Sequence, residues 1–411
     1  MKHWSCGMDW SLRIARSARH LLPLALVVVS SGCHSGARHP WKGRAVKGPV
    51  RAVWVTRWDF KSPRDIGVVM ENARQAGFNT VLFQVRGGGT ALYRSKLEPW
   101  ADELSGRDPG FDPLAVACHE GRRRGLSVHA WMNVMPGWFG EKPPSNPQQL
   151  YVARPDWFLR DAQGRRQPLS WYSSVNPCYP EVRRYLTDVA REIVSGYPID
   201  GLHLDYIRFP NEWHKGYGEG ASVPDYPRDP RTLQMFRAAT GKSPDEAPGA
   251  WNDWRTAQVT QLVRDIRAMM QKENKGAALT VAVGSDPQSH LRSHFQDSRR
   301  WMGEGLVDAV FPMNYDSDLR GYGRTLDRWR SMKAGKPVIT GVMFDKRDAR
   351  LVSQQVSQAR DVNRHFAAFA YNSLFERLDA GGRPIMDAQS ASRAELRRQI
   401  IPQMRRIAGM R

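Results

Sequence analysis

Cysteine is scarce in this chain, with four in 411 residues. Setting aside Cys6 and Cys33 near the N-terminus leaves Cys118 and Cys178, too few for a disulfide framework, and no CxxC or Cys/His spacing suggests zinc. Long apolar runs are missing too. LLPLALVVV (21–29) is too short to span a bilayer as a permanent helix. No Gly-rich phosphate fingerprint follows the first strand-like run, where VTRWDFKSPRD stands (55–65), so a dinucleotide fold has nothing to hold its cofactor. Acidic residues are in deficit, 41 against 61 Lys and Arg, for a formal charge of +20.

At the N-terminus, Lys2, Arg13, Arg16 and Arg19 precede the apolar run, and SSGC follows it, ending at Cys33. That order is the layout of a secretory signal. Gly32 before Cys33 suggests a lipoprotein cut, so residues 1–32 read as the signal and Cys33 as a lipidation site. Residues 33–49, polar, Gly-rich and aperiodic, suit a tether, with one folded domain over 50–411. The expected location is the cell envelope, held to a membrane by the N-terminal lipid and facing the periplasm if an outer membrane is present. The chain remains strongly basic without its signal. Export argues against nucleic acid as the partner and for an extracytoplasmic polyanion or an anionic membrane surface.

From Val50 onward, strand-like runs alternate with helical patterns. The strands read RAVWVTRW (51–58), NTVLFQVR (79–86), LSVHAWMNV (126–134), IDGLHLDYIR (199–208), LTVAVGSD (279–286), VDAVFPMNYD (307–316), PVITGVMF (337–344) and FAAFAYNSLF (366–375). Several intervening helices open at Ser, Asp or Pro and close at Gly, the usual cap asymmetry. Eight β-α units predict an α/β fold, the (β/α)8 TIM barrel, because parallel strands need helical crossovers and eight of them can close. The segments after the second (87–112), third (135–179) and fourth (209–250) strands are long and rich in Pro, Gly and aromatics. All three follow C-terminal strand ends, where barrel enzymes build active sites.

Side chains alternate along a strand, so in IDGLHLDYIR Leu202, Leu204 and Tyr206 share one face and Gly201, His203 and Asp205 the other. The leucines suit the surrounding helices, leaving Asp205 toward the axis near the mouth. A carboxylate there must be paired, hydrogen-bonded or wetted by a substrate site. The same parity groups Gln84 with Arg86, and His129 with Trp131 and Asn133. Asp200, at the strand start, reads as structural. Trp54, Trp58, Trp100, Trp131, Trp138, Trp157, Trp171, Tyr172, Trp213 and Tyr315 crowd the same end, and Tyr371 follows on the last strand. Sugar rings stack their C–H faces on aromatic planes while their hydroxyls seek Asn, Asp, Arg and His, so this mixture suits a glycan cleft. Trp54, Trp58, Trp131, Tyr315 and Tyr371 are its expected substrate-contacting aromatics.

FQVRGGGTALYRSKLEPW (83–100), GLSVHAWMNV (125–134), SVNPCYPEVRRYLTDVAREIV (174–194) and YPIDGLHLDYIRFP (197–210) together resemble successive motifs of the bacterial glycosyl hydrolase-like family 10 barrels. The resemblance runs from about Arg51 to about Phe375 and weakens after the fourth strand, where this chain has PMNYD (312–316). It implies an exported glycoside hydrolase acting on a bacterial cell-wall glycan, with peptidoglycan strands lacking stem peptides as substrate and no cofactor or metal. Asp205 matches the family's acidic residue at the end of strand four. By the same matching, Arg86, Glu98, His129, Asn133 and His203 would line or support the cleft.

Glycoside hydrolysis normally needs two carboxyl groups, about 5–5.5 Å apart for retention or about 6.5–9.5 Å for inversion. Asp205 supplies one. Glu98, Asp286, Asp316 and Glu376 are the candidates for the other, Glu98 and Asp316 being carried forward as catalytic. Substrate-assisted catalysis by an N-acetyl group is a third route, and DGLHLD with MNYD loosely resembles chitinase-type elements. The acid position of that motif, however, is Ile207 here. Two competing classes stand beside the cell-wall hydrolase: a hydrolase of another extracellular polysaccharide, and a non-catalytic barrel that only grips cell-wall glycan.

Overall fold

A computed structural model describes residues 48–210, 225–332, 335–344 and 348–410. The signal, Cys33, nearly all of the tether and Trp213 lie outside the described residues. Eight strands form one parallel sheet: β1 (Arg51–Val55), β2 (Thr80–Arg86), β3 (Ser127–Asn133), β6 (Gly201–Asp205), β7 (Ala278–Gly284), β8 (Ala309–Met313), β9 (Thr340–Met343) and β10 (Phe366–Phe369). Their order, β8-β7-β6-β3-β2-β1-β10-β9, is sequential around a barrel. The seam between β8 and β9 closes through Val310 N donating to Pro337 O at 3.1 Å and Ile339 N to Val310 O at 2.9 Å. The expected eight-stranded barrel is the observed one.

Local sequence explains the framework. Helices Pro63–Gln75, Pro113–Arg123, Pro230–Thr240 and Pro287–His294 each place Pro at the start behind a Ser or Asp whose side chain accepts a backbone N–H. The strands bury both faces. Val53, Val81, Leu202 and Leu204 pack outward against helices. Trp54, Leu82, Trp131, Phe311 and Ile339 fill the interior.

Some boundaries differ from those expected. The last strand ends at Phe369, and Tyr371 enters a short 3-10 turn, Tyr371–Ser373. SHFQDSRRWMGEG contributes to two short helices, Pro287–His294 and Ser298–Gly303, instead of one. The segment after β3 folds into an antiparallel hairpin, β4 (Pro136–Phe139) with β5 (Tyr172–Ser174), which brings Tyr172 over the barrel mouth.

Candidate active site

Register stacks the inward residues in layers. Gly201 pairs with His129, His203 with Trp131, and Asp205 with Asn133, so the polarity rises toward the C-terminal end. Gly201 is required: a Cβ there would lie 2.5 Å from His129 Nδ1. Above it, Trp54 Nε1 donates to His203 Nε2 at 3.2 Å, so the imidazole proton sits on Nδ1, 3.0 Å from Thr280 Oγ1. The same hydroxyl lies 3.3 Å from His129 Nδ1. Burial drives His129 down to about 4 and His203 well below its ordinary range, so both rings are neutral near pH 7. Trp54, His129 and His203, expected to touch substrate, form instead a closed hydrogen-bonded floor inside the barrel. Trp131 is also an interior residue, buried in that layer.

Asp205 crowns this floor at the end of β6. Its Oδ1 accepts from Tyr206 N at 2.7 Å and from Arg208 Nη1 at 3.3 Å. Burial raises the carboxyl above its ordinary range, while Arg208, the Tyr206 N–H and the Trp131 indole pull the other way. Asn133 Oδ1 is a buried polar atom with no hydrogen bond to a described residue, and the equally buried Trp131 indole N–H is directed at the Asp205 carboxyl without closing a regular hydrogen bond. An unsatisfied amide oxygen beside one carboxyl in this layer marks a place where a ligand's polar hydrogen would be accepted.

Tyr172 joins this cluster to the rest of the mouth. Its hydroxyl accepts from Asn133 Nδ2 at 3.3 Å and Arg57 Nη1 at 3.1 Å, leaving its own O–H to offer. Burial keeps the phenol protonated, with Arg57 opposing and the charges of Asp205 and Glu103 reinforcing. Arg57 is paired with Glu103 through Nε, and its backbone N–H donates to Gln84 Oε1 at 2.9 Å. The guanidinium lies so close over Gly87 that a Cβ would meet Nη1 at 2.2 Å. Asp59, two residues on, accepts from Thr56 N and Oγ1, and burial raises its carboxyl to about 7. Sequence reasoning missed Arg57, Glu103 and Asp59. The glycines of VRGGG were their available signal, since close approach of another group demands them.

Several expected site residues sit elsewhere. A β-bulge between Gln84 and Arg86 shifts the register, so Arg86 pairs with Met132 instead of sharing Gln84's inward face. There Arg86 meets Glu98 at 2.7 Å with both side chains fully buried, and Tyr185 Oη donates to the same carboxylate at 3.1 Å. Arg86 also donates to the carbonyls of Asn133, Val134 and Pro136. Glu98 thus sits as the counter-ion of a loop anchor. Asp316 is exposed and accepts from Asp318 N at 2.8 Å, beside the helix Leu319–Ser331. Asp286 caps the helix Pro287–His294 and pairs with Arg328, and Glu376 pairs with Arg397. Tyr371 is buried outside the barrel, its hydroxyl accepting from Asn72 Nδ2 at 2.8 Å. Tyr315 packs on Phe369, the ring centroids 5.5 Å apart.

Two further expectations change. Trp138 is buried in the outer core, and Trp100 and Trp157 pack against it, so much of the aromatic excess is packing. Trp58 remains a platform, 42% exposed. Tyr206, expected to face the helices with the leucines, takes a left-handed φ of 50° that breaks the alternation and sets its ring centroid 4.9 Å from Tyr172.

A closed parallel barrel whose strand-end carboxyl is ringed by amide, phenol, guanidinium and indole groups has the architecture of the TIM-barrel glycosidases. The chain belongs to the family described as glycosyl hydrolase-like 10, which matches residues 49–361. "Glycosyl hydrolase DigH" of Escherichia coli (strain K12) is 27% identical over 367 residues, covering 75% of this chain and 77% of that protein. "Glycosyl hydrolase YngK" of Bacillus subtilis (strain 168) is 26% identical over 324 residues, covering 70% of this chain and 59% of that protein. Among solved structures, the catalytic domain of a β-amylase from Paenibacillus polymyxa superposes with a TM-score of 0.57 at 11% identity, covering 86% of this chain and 98% of that one. A β-galactosidase from Rahnella sp. R3 gives 0.60 at 13% identity, covering 91% of this chain and 58% of that one. The structural likenesses establish the fold.

Proposed function

We propose that this chain is an exported glycoside hydrolase that cleaves glycosidic bonds in a bacterial cell-wall glycan, with peptidoglycan strands lacking stem peptides as the substrate. The observation that carries the reading is Asp205 at the C-terminal end of β6, raised by burial, faced by the Trp131 indole and flanked by the unsatisfied Asn133 carbonyl. A carboxyl held above its ordinary range suits proton donation to a leaving glycosidic oxygen. Tyr172 and Asn133 would position the sugar beside it. Glu103, joined to that cluster through Arg57 and Tyr172, is the candidate for the second group. The names of the two hydrolase relatives support the reaction class, and the aromatic and basic mouth supports the substrate class. Residues 2–33 support export and an envelope location, with Cys33 lipidated and the barrel tethered to a membrane.

Release of soluble sugars from peptidoglycan, with and without prior amidase treatment, tests the proposal by mass spectrometry. Asp205→Asn and Glu103→Gln should each lose at least about a hundredfold in turnover, as expected for an acid/base group. Wild-type turnover by Asp205→Asn would refute the assignment. Undiminished glycan binding by an inactive wild type would instead identify a non-catalytic glycan-binding barrel.

A further inference from the structure

Two depressions meet at Trp58. One, of about 750 Å³, runs between the segment after β1 and residues 102–110, and its wall includes Lys61, Arg107 and Arg377. The other, of about 440 Å³, lies on the far side against residues 372–393 and shares Trp58 and Arg377. Trp58 is held from beneath, because the Arg57 guanidinium sits 4.3 Å from its ring centroid and is itself fixed by Glu103 and Tyr172. Supported in this way, the ring is still 42% exposed and lines the groove.

The charges on this wall divide cleanly. Glu103 is taken up by Arg57, Asp108 by Arg94 and Asp387 by Arg393. Lys61, Arg107 and Arg377 line the groove without any side-chain hydrogen bond or ion pair to a described residue, although Arg377 acts through space on buried Asp59. Asp102 is the acid of the same wall without such a partner. Cations without a partner accordingly exceed such acids in the groove. That balance beside an aromatic platform fits a sugar that carries a negative charge.

We infer that Trp58, Lys61, Arg107 and Arg377 form a subsite for a carboxylate-bearing sugar of the glycan, the ring stacked on the indole and the carboxylate met by the cations. This inference rests on the proposed glycan-hydrolase reading and concerns a groove that Arg57 and Glu103 of that cluster help to line, while Asp205 itself lines neither depression. The subsite confers preference for acidic over neutral glycan, and Asp205 is not part of it.

The test is calorimetric titration of the full chain carrying Asp205→Asn, which holds substrate without turning it over. One ligand is a tetrasaccharide of alternating N-acetylglucosamine and N-acetylmuramic acid with free lactyl carboxylates, and the other is chitotetraose. The acidic sugar should bind roughly five- to tenfold tighter in low salt and lose that margin as salt is raised. Adding Lys61→Gln with Arg377→Gln should erase the margin and leave chitotetraose binding unchanged, while adding Trp58→Ala should weaken both sugars about tenfold. A margin that survives the double replacement, equal weakening of both sugars by it, or binding of neither sugar would overturn the inference. Failure of the hydrolase reading shows separately, as no release of soluble sugars from peptidoglycan by the wild type, and does not alter the titration.

Discussion

Replacing Glu98 separates a structural carboxylate from a catalytic one. In Glu98→Ala the guanidinium of Arg86 stays fully buried, still donating to backbone carbonyls but without a counter-charge, and Tyr185 loses its acceptor. Removing one partner of a buried ion pair costs about 3–5 kcal/mol, because the remaining charge keeps its desolvation penalty. Scaled by the unfolding entropy per residue, that loss lowers the midpoint of a domain this size by roughly 4–8 °C. Glu98→Gln keeps an acceptor for one Arg86 N–H and should cost less. Urea unfolding followed by tryptophan fluorescence gives the stability, and hydrolysis assayed well below the midpoint gives turnover. The expected pattern is a large stability loss with turnover reduced less than about tenfold. The reverse pattern, wild-type stability in Glu98→Gln with turnover down a thousandfold, would refute the loop-anchor reading and restore Glu98 as a catalytic acid.

Three further outcomes follow from the same geometry. Tyr371→Phe removes only the hydrogen bond from Asn72, so it should cost about 1 kcal/mol of stability and leave turnover unchanged, which unfolding and kinetics measured together would check. His129 is neutral in the fold, at about 4 against an ordinary 6.5, so its contribution is intact above pH 6.5 and declines by about 3 kcal/mol as pH falls toward 4. Asp59, at about 7 against 3.8, has the opposite sign, favouring the fold most at low pH and losing that contribution as pH rises to 7. Comparing unfolding of wild type and His129→Gln across pH 4–7 isolates the imidazole, and parallel profiles would contradict its burial as a neutral ring. Cys33→Ala should abolish incorporation of labelled palmitate in a bacterial host, and persistent labelling would rule out that anchor.

The eight strands were legible because each buries both faces and is bounded by capped helices, patterns carried by neighbouring residues. The inward placement of His203 and Asp205 was legible for the same reason, since alternation holds over Gly201–Asp205. It failed where the backbone departs from regular geometry. The bulge at Gln84/Arg86 turned an expected cleft residue into a loop anchor, and the left-handed Tyr206 turned an expected core residue toward the mouth. Neither departure has a sequence signal of its own, because no glycine marks them. Arg57 and Glu103 escaped notice because their pairing joins the β1 exit to a loop 46 positions later, a separation no local pattern records. Tryptophan number misled in the other direction. Large aromatic side chains contribute heavily to any core, and most here do that.

The short reach of the contacts on Asp205 has a consequence for how such a barrel can diverge. Both recorded hydrogen bonds to its carboxyl come from residues one and three positions onward in the chain, Tyr206 and Arg208. The carboxyl's orientation is therefore set largely at its own strand exit, with the Trp131 indole facing it from the neighbouring strand, whereas Trp58, Lys61 and Arg107 belong to other loops. Descendants of this chain can exchange those loops while the carboxyl stays where it is, so its placement and the lining of the groove are separately heritable.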